Sequence, residues 1–142
     1  LVVLGDGLKA ALAMVLAKIL VGPQAVLYAG CVAVLGHIFP VYYGFKGGKG
    51  VMSAAAMILV FDWRIFLFVL AVFLLVAVFT RYVSLASIMA AVAFAAGLLV
   101  CYRDHSGYLA AGLCTAVIVV WKHRSNIKRL LHGEESKLGK KK

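Results

Sequence analysis

The stretch from Gly36 to Ser53, GHIFPVYYGFKGGKGVMS, sets two lysines and a dense run of glycines inside an otherwise apolar chain. Gly47, Gly48 and Gly50 surround Lys49, Lys46 stands just ahead, and a helix-forming run follows. Backbone without side chains, a helix start and two ammonium groups can converge on one small anion, so the segment is a candidate phosphate site. It is not a Walker loop, because GxxxxGKS and GxxxxGKT are absent, nor a dinucleotide fingerprint, which needs GxGxxG after a strand. A plain inter-helix turn would use the same glycines. The remaining polar residues come in small groups. Asp6 and Lys9 are spaced i, i+3 and can pair. His37 precedes Pro40, where a ring donating to backbone near a kink is the structural alternative to a ligand contact. The island TRYVSLAS, Thr80 to Ser87, offers Arg81, Ser84 and Ser87. The tail HRSNIKRLLHGEESK puts His123 and Asn126 on one helical face, ahead of Glu135.

These groups need a scaffold, and composition says which kind. Hydrophobic residues make up 65% of the 142 and charged ones only 14%, with a mean hydropathy of +1.04. That is too little polar surface to cover a water-soluble domain. Long unbroken apolar runs, without the alternation a membrane barrel requires, predict an all-α integral membrane protein: a polytopic helical bundle of about six membrane segments in a single domain, 1–142. Cys31, Cys101 and Cys114 lie in apolar runs with no paired spacing and read as small core residues. Histidines and carboxylates are too scattered to demand a metal.

In chain order, Leu1 to Val21 reads as the first helix, with Lys18 able to snorkel at one end. Gly22 to Gln24 makes a turn, and Ala25 to Tyr43 is the second helix, kinked or stopped by Pro40. Val51 to Phe61 is too short to cross a hydrocarbon core of roughly 30 Å at about 1.5 Å per residue. Asp62, Trp63 and Arg64 punctuate the interface before Ile65 to Phe79. A long helix to Val100 follows the TRYVSLAS island, Cys101 to Tyr108 is a connection, and Leu109 to Trp121 is the last span. One out-and-back excursion separates Lys49 from Arg81 and another separates Arg81 from Lys122. Lys46, Lys49, Arg81, His123, Arg124 and Asn126 therefore share one face, the cytoplasmic one by the positive-inside rule. The basic tail, 122–142, reads as a short amphipathic helix on that interface, ended by Gly133. Its charge suits anionic lipid head groups; no nucleic-acid motif accompanies it.

GHIFPVYYGFKGGKGV, TRYVSLASI and HRSNIKRLLHGEESK, in this order and spacing, resemble the signature regions of the bacterial acyl-phosphate-dependent glycerol-3-phosphate acyltransferases, the PlsY family. GDGLKA, Gly5 to Ala10, resembles that family's Asp-x-x-Lys-Gly helix with Ala10 for the usual glycine. The resemblance also implies an earlier membrane helix and a Gly/Ser/Asn-rich loop with a functional serine and arginine ahead of Leu1, hence an N-terminally incomplete chain. What it implies chemically is acyl transfer from acyl phosphate to the sn-1 hydroxyl of glycerol 3-phosphate at the bacterial inner membrane, without a cofactor. Lys46, Gly47, Gly48, Lys49 and Gly50 would then bind phosphate, with Arg81 and Ser87 beside them. His123, Asn126 and Ser84 would be the catalytic set, Ser84 as a ligand rather than a covalent nucleophile. His37 and Glu135 would be structural. Acyl phosphate is already activated, so alignment and charge stabilisation suffice, with the leaving phosphate able to take the hydroxyl proton. Two other classes fit parts of the sequence. A carrier or channel for an anionic metabolite would use the same cations but place charge near the midplane; an inactive structural fragment would leave the glycines unexplained.

Overall fold

The computed structural model describes residues 2–139, and these described residues form seven α-helices. Leu1, expected in the first helix, and Lys140, Lys141 and Lys142, expected in the basic tail, lie outside the described residues. α1 is Val2–Leu20, α2 Val26–Ile38, α3 Val51–Phe61, α4 Trp63–Thr80, α5 Val83–Cys101, α6 Ser106–Lys122 and α7 Arg124–Leu131. The described residues contain no strand. Three segments are long and apolar enough to cross a membrane, Pro23–Tyr43 around α2, Trp63–Thr80 and Val83–Cys101, while α3 and α6 are shorter apolar helices. Helices that are apolar all round, with Leu16, Ile19, Val78, Phe79 and Val117 turned outward, mark an integral membrane protein.

Local chemistry fixes the helix ends. α2 stops at Ile38 rather than running to Tyr43, because the residue before a proline is pushed out of the helical region: Phe39 sits at φ −125°, ψ 61°. A 3-10 turn, Val41–Tyr43, follows Pro40. The TRYVSLAS segment is not a connecting island either. Only Arg81 and Tyr82 link α4 to α5, and Ser84 and Ser87 lie in the first turns of α5. α3 covers Val51–Phe61 as expected, which at 1.5 Å per residue is about 16 Å.

The helices alternate in direction around a core of Met14, Leu27, Val34, Ile38, Met57 and Leu98, all fully buried. α4 lies along α5, α5 along α6, and α1 against both α2 and α3. One end of the bundle gathers Asp6, Lys9, His37, the glycine loop, Arg81 and His123. The opposite end is locked by Asp62. Its carboxylate caps α4 by accepting from Arg64 N–H (2.9 Å), and it also accepts from Arg64 Nη2 (2.8 Å) and Tyr102 Oη (2.9 Å). Arg64 beside it, with the cap and Tyr102, outweighs burial and holds the Asp62 carboxyl at about 2. A depressed carboxyl stabilises the fold above its unfolded value near 4, and the contribution disappears as pH falls toward 2. Asp62→Ala should therefore lower stability by about 2–3 kcal/mol, a lost cap plus an orphaned Tyr102 hydroxyl. Detergent-solubilised protein would report this as a lower Tm at pH 7, with a much smaller difference near pH 2.

Candidate active site

The glycine loop is clamped from below by α2. Gly47 lies on the carbonyls of His37 and Ile38 and on the ring of Pro40, and Gly48 lies on the His37 imidazole, so neither position has room for a Cβ. Gly50 takes φ +79°, a left-handed conformation that glycine adopts without strain, and starts α3 against Ile38. Among the described residues, the N–H groups of Gly47, Gly48, Lys49 and Gly50 donate to no backbone carbonyl. The first turn of α3 adds the free N–H groups that every helix start carries. Lys46 and Lys49 are both exposed at this loop.

The His37 ring does not donate to the backbone near the kink. Its Nδ1 stands 3.1 Å from Asp6 Oδ1 and 3.0 Å from Lys9 Nζ, and Lys9 pairs with Asp6 at 2.7 Å. Ser53 Oγ donates to the Asp6 carbonyl at 3.1 Å. The GDGLK turn of α1 thus ties the end of α2 to the start of α3, and the glycine loop hangs between them.

His123 and Asn126 face this loop from the α6–α7 junction, and both are almost fully buried. His123 Nδ1–H donates to the Val119 carbonyl at 2.8 Å, leaving Nε2 as the acceptor nitrogen. Burial pushes the imidazole below its ordinary value, the nearby Lys49 ammonium pushes the same way, and the Val119 bond and Glu135 only partly oppose them. It is a neutral ring at physiological pH. Asn126 Nδ2 donates to Glu135 Oε1 at 2.7 Å, and Arg129 Nε donates to Glu135 Oε2 at 2.7 Å. Burial favours a protonated Glu135, yet the neighbouring Ser84 and the bonds from Asn126 and Arg129 prevail and hold the carboxyl at about 2. Two buried polar atoms lack a well-formed hydrogen bond among the described residues: Asn126 Oδ1, and Ser84 Oγ, which stands beside the Glu135 carboxylate without the geometry of a full bond. Orphaned groups of this kind are rare in folded proteins and mark a place where a polar ligand fits.

The tail is folded back to make this possible. Gly133, at φ +70°, closes α7 with Gly133 N–H donating to the Leu130 carbonyl (3.2 Å) and Glu134 N–H to the Arg129 carbonyl (2.8 Å), a Schellman ending. Leu138 N–H then reaches the Arg81 carbonyl at 2.7 Å. Glu135→Gln should cost about 2–3 kcal/mol by removing charge from two bonds. The wild-type contribution is present above the ordinary carboxylate range and is lost as pH falls toward 2. Thermal unfolding of the two proteins at pH 7 and pH 3 checks both the size and the sign.

An apolar cleft of about 260 Å³ opens beside the loop, between α3, α4, α5 and α6. Val51 and Met52 stand at its mouth and Phe94 lies deep inside. Ser87, expected among the phosphate ligands, is instead part of this wall; its hydroxyl is turned to the Val83 carbonyl at 2.9 Å. Arg81 presents its carbonyl to the tail and its side chain to solvent. The structure thus brings together Lys49, Gly47, Gly48 and Gly50 with His123, Asn126 and Ser84 as a candidate site, with Lys46 at its edge and His37 and Glu135 packed on either side. Arg129 and the Asp6–Lys9 support for His37 were not foreseen. Arg129 and Glu135 stand six apart across a helix-ending glycine, the one sequence signal for their pairing.

A family model for glycerol-3-phosphate acyltransferase matches residues 1–133. The chain is 39% identical over 137 residues to a glycerol-3-phosphate acyltransferase of Francisella tularensis subsp. mediasiatica (strain FSC147), covering 96% of this chain and 66% of that one. To the glycerol-3-phosphate acyltransferase of Coxiella burnetii (strain Dugway 5J108-111) it is 39% identical over 138 residues, covering 96% and 70%. It spans just under two thirds of the length of the Francisella relative. Its fold is similar to two crystal structures of PlsY, an integral membrane glycerol 3-phosphate acyltransferase, one in a lysophosphatidic acid form and one in a glycerol 3-phosphate form. Each has a TM-score of 0.85 and 35% identity, covering 97% of this chain and 71% or 70% of the other.

Proposed function

We propose, because the chain belongs to the glycerol-3-phosphate acyltransferase family, that it transfers an acyl group from acyl phosphate to the sn-1 hydroxyl of glycerol 3-phosphate, giving lysophosphatidic acid and phosphate. The observation that carries this reading is a single one: a cationic, amide-rich loop and two orphaned polar atoms meet at the mouth of an apolar cleft. Both substrates bear phosphate and one bears a long apolar chain, and solved relatives have been crystallised with the acceptor and with the product.

In this reading the free amides of Gly47 to Gly50 and the Lys49 ammonium hold the phosphate of the acyl donor, and the acyl chain descends into the cleft below. Asn126 Oδ1 and His123 Nε2 accept from the glycerol hydroxyls, and Ser84 Oγ–H donates to the acceptor. The hydroxyl oxygen attacks the acyl carbon, a C–O bond forms, and the bond between the acyl carbon and the phosphate oxygen breaks. The departing phosphate takes the hydroxyl proton, so no protein group need change protonation state. His123 suits this positioning role, because a ring already neutral and next to an ammonium is a weak base. Stabilising the phosphate as its charge grows is the larger contribution. The site end is the cytoplasmic face of the bacterial inner membrane, consistent with the basic residues concentrated there. A metabolite carrier is disfavoured, since the loop cations stand at one end of the bundle rather than at mid-depth.

The test is phosphate release from a long-chain acyl phosphate in membranes carrying this chain and, in parallel, this chain joined to the part of the Coxiella relative that it does not span. Release that requires glycerol 3-phosphate in either preparation supports the proposal. Release from neither, with both proteins folded, overturns it.

A further inference from the structure

The wall of the apolar cleft changes character with depth. Between the mouth and the inner end it carries Ala54 and Ala55 of α3 and Ala90 and Ala91 of α5, with Leu70 and Phe73 of α4 among its larger side chains. At its inner end stand Ile58, Phe66 and Phe94. Phe94 is almost fully buried, and its ring reaches across to Gly112 of α6, where a Cβ would meet Phe94 Cε1 and Cζ at 3.5 Å. Leu98 lies on the same glycine one turn further in, and Gly97 lets Ile65 of α4 close against α5, where a Cβ would stand 3.0 Å from Ile65 Cγ2. Two glycines thus let α4 and α6 close onto α5 just beyond Phe94. The cleft is a tapered slot with a floor, not a channel through the bundle. Ser87 and Thr115, its hydroxyl-bearing wall residues, both donate to carbonyls of their own helices, at 2.9 and 2.8 Å, so the slot offers a chain no polar stop before that floor.

We propose that Phe94 sets the acyl-chain length that this site accepts. The inference rests on the acyl-transfer reading above. Ten residues of α5 separate Ser84, at the polar site, from Phe94, about 15 Å at 1.5 Å per residue. A zigzag chain of 1.5 Å bonds advances roughly 1.25 Å per carbon, which gives about twelve carbons from a carbonyl level with Ser84 and about sixteen from one a helical turn further out. Lipid is as apolar as the slot, so adding carbons is close to neutral while room remains. A longer chain must displace the Phe94 ring or bend outward, and overpacking of that kind lowers kcat/KM by at least about fivefold.

The experiment compares saturated acyl phosphates of 8 to 18 carbons with the wild type, Phe94→Ala and Ala90→Phe, the last placing a ring one turn above the floor. The same lengths are run as unreactive alkyl phosphates, read as shifts in Tm. The wild type should show a plateau and then a fall between about 12 and 16 carbons. Phe94→Ala should move the fall outward by two or more carbons, and Ala90→Phe inward by about four. Should Phe94→Ala fail to fold, Ala90→Phe and Phe94→Leu carry the test. The proposal is overturned if the fall stays at one length in every folded variant, or if none is seen up to 18 carbons. Glycerol 3-phosphate-dependent release absent at every length, with the length-dependent Tm shifts intact, would instead count against the acyl-transfer reading and leave the floor standing.

Discussion

Gly47→Ala is expected to cut kcat/KM for the acyl phosphate by about a thousandfold, the largest loss for any one-carbon change in this chain. The added methyl would be driven into the His37 and Ile38 carbonyls and the Pro40 ring, and backbone cannot swing aside as a flexible side chain can. The loop must lift, and with it the amides that converge on the phosphate and the Lys49 ammonium beside them. Removing one preorganised donor from a developing anion costs about 2.7–4 kcal/mol in comparable sites. The core below the loop is untouched, so the Tm should fall by only a few degrees. A variant that kept wild-type kcat/KM would show that the loop does not hold the phosphate.

Substituting alanine for His123 separates two mechanisms. With the leaving phosphate as proton acceptor, the KM for glycerol 3-phosphate should rise by about 5–100-fold, the cost of leaving one glycerol hydroxyl without its buried acceptor, while kcat stays within about threefold. A kcat loss of about a thousandfold at unchanged KM would make the imidazole the general base. The pH profile carries an independent sign. Burial holds the His123 ring below its ordinary value, so the accepting nitrogen is free at neutral pH and is lost only once the solution is acid. Wild-type kcat/KM should be flat through pH 7–8 and decline well below pH 6.5, and His123→Ala should lack that decline.

The apolar runs made the bundle legible, because a stretch that is greasy on every side has one explanation in a short chain. The eleven-residue α3, the Asp6–Lys9 pair and the glycine at the end of α7 were all readable from spacing. His37 was not, since its partners Lys9 and Asp6 lie in α1, 28 and 31 residues away, and only the crossing of α1 and α2 brings them together. Ser84 and Ser87 were both expected at the polar site, but three residues along a helix shift a side chain by about 4.5 Å in depth and about 60° in direction. That offset leaves Ser84 at the polar site and puts Ser87 in the cleft wall. The cleft itself was hidden for the same reason: which alanines of α3 and α5 face each other depends on how each helix is rotated about its axis.

The shortness of α3 has a further meaning for how the reaction products leave. A helix of about 16 Å that begins at the glycine loop cannot span a slab of roughly 30 Å. Set against α4 and α5, roughly 11 Å longer, it would set the loop a little inside the rim of the bundle, with its two lysines still exposed at that end. Glycerol 3-phosphate would have to sink to meet the donor, and the acyl chain would never have to rise. On the proposed acyl-transfer reading, lysophosphatidic acid formed there would drift sideways into the leaflet without exposing its tail to water, whereas the freed phosphate would leave alone through the polar mouth. Turnover should then respond to bilayer thickness, slowing in lipids whose longer tails bury the entrance further.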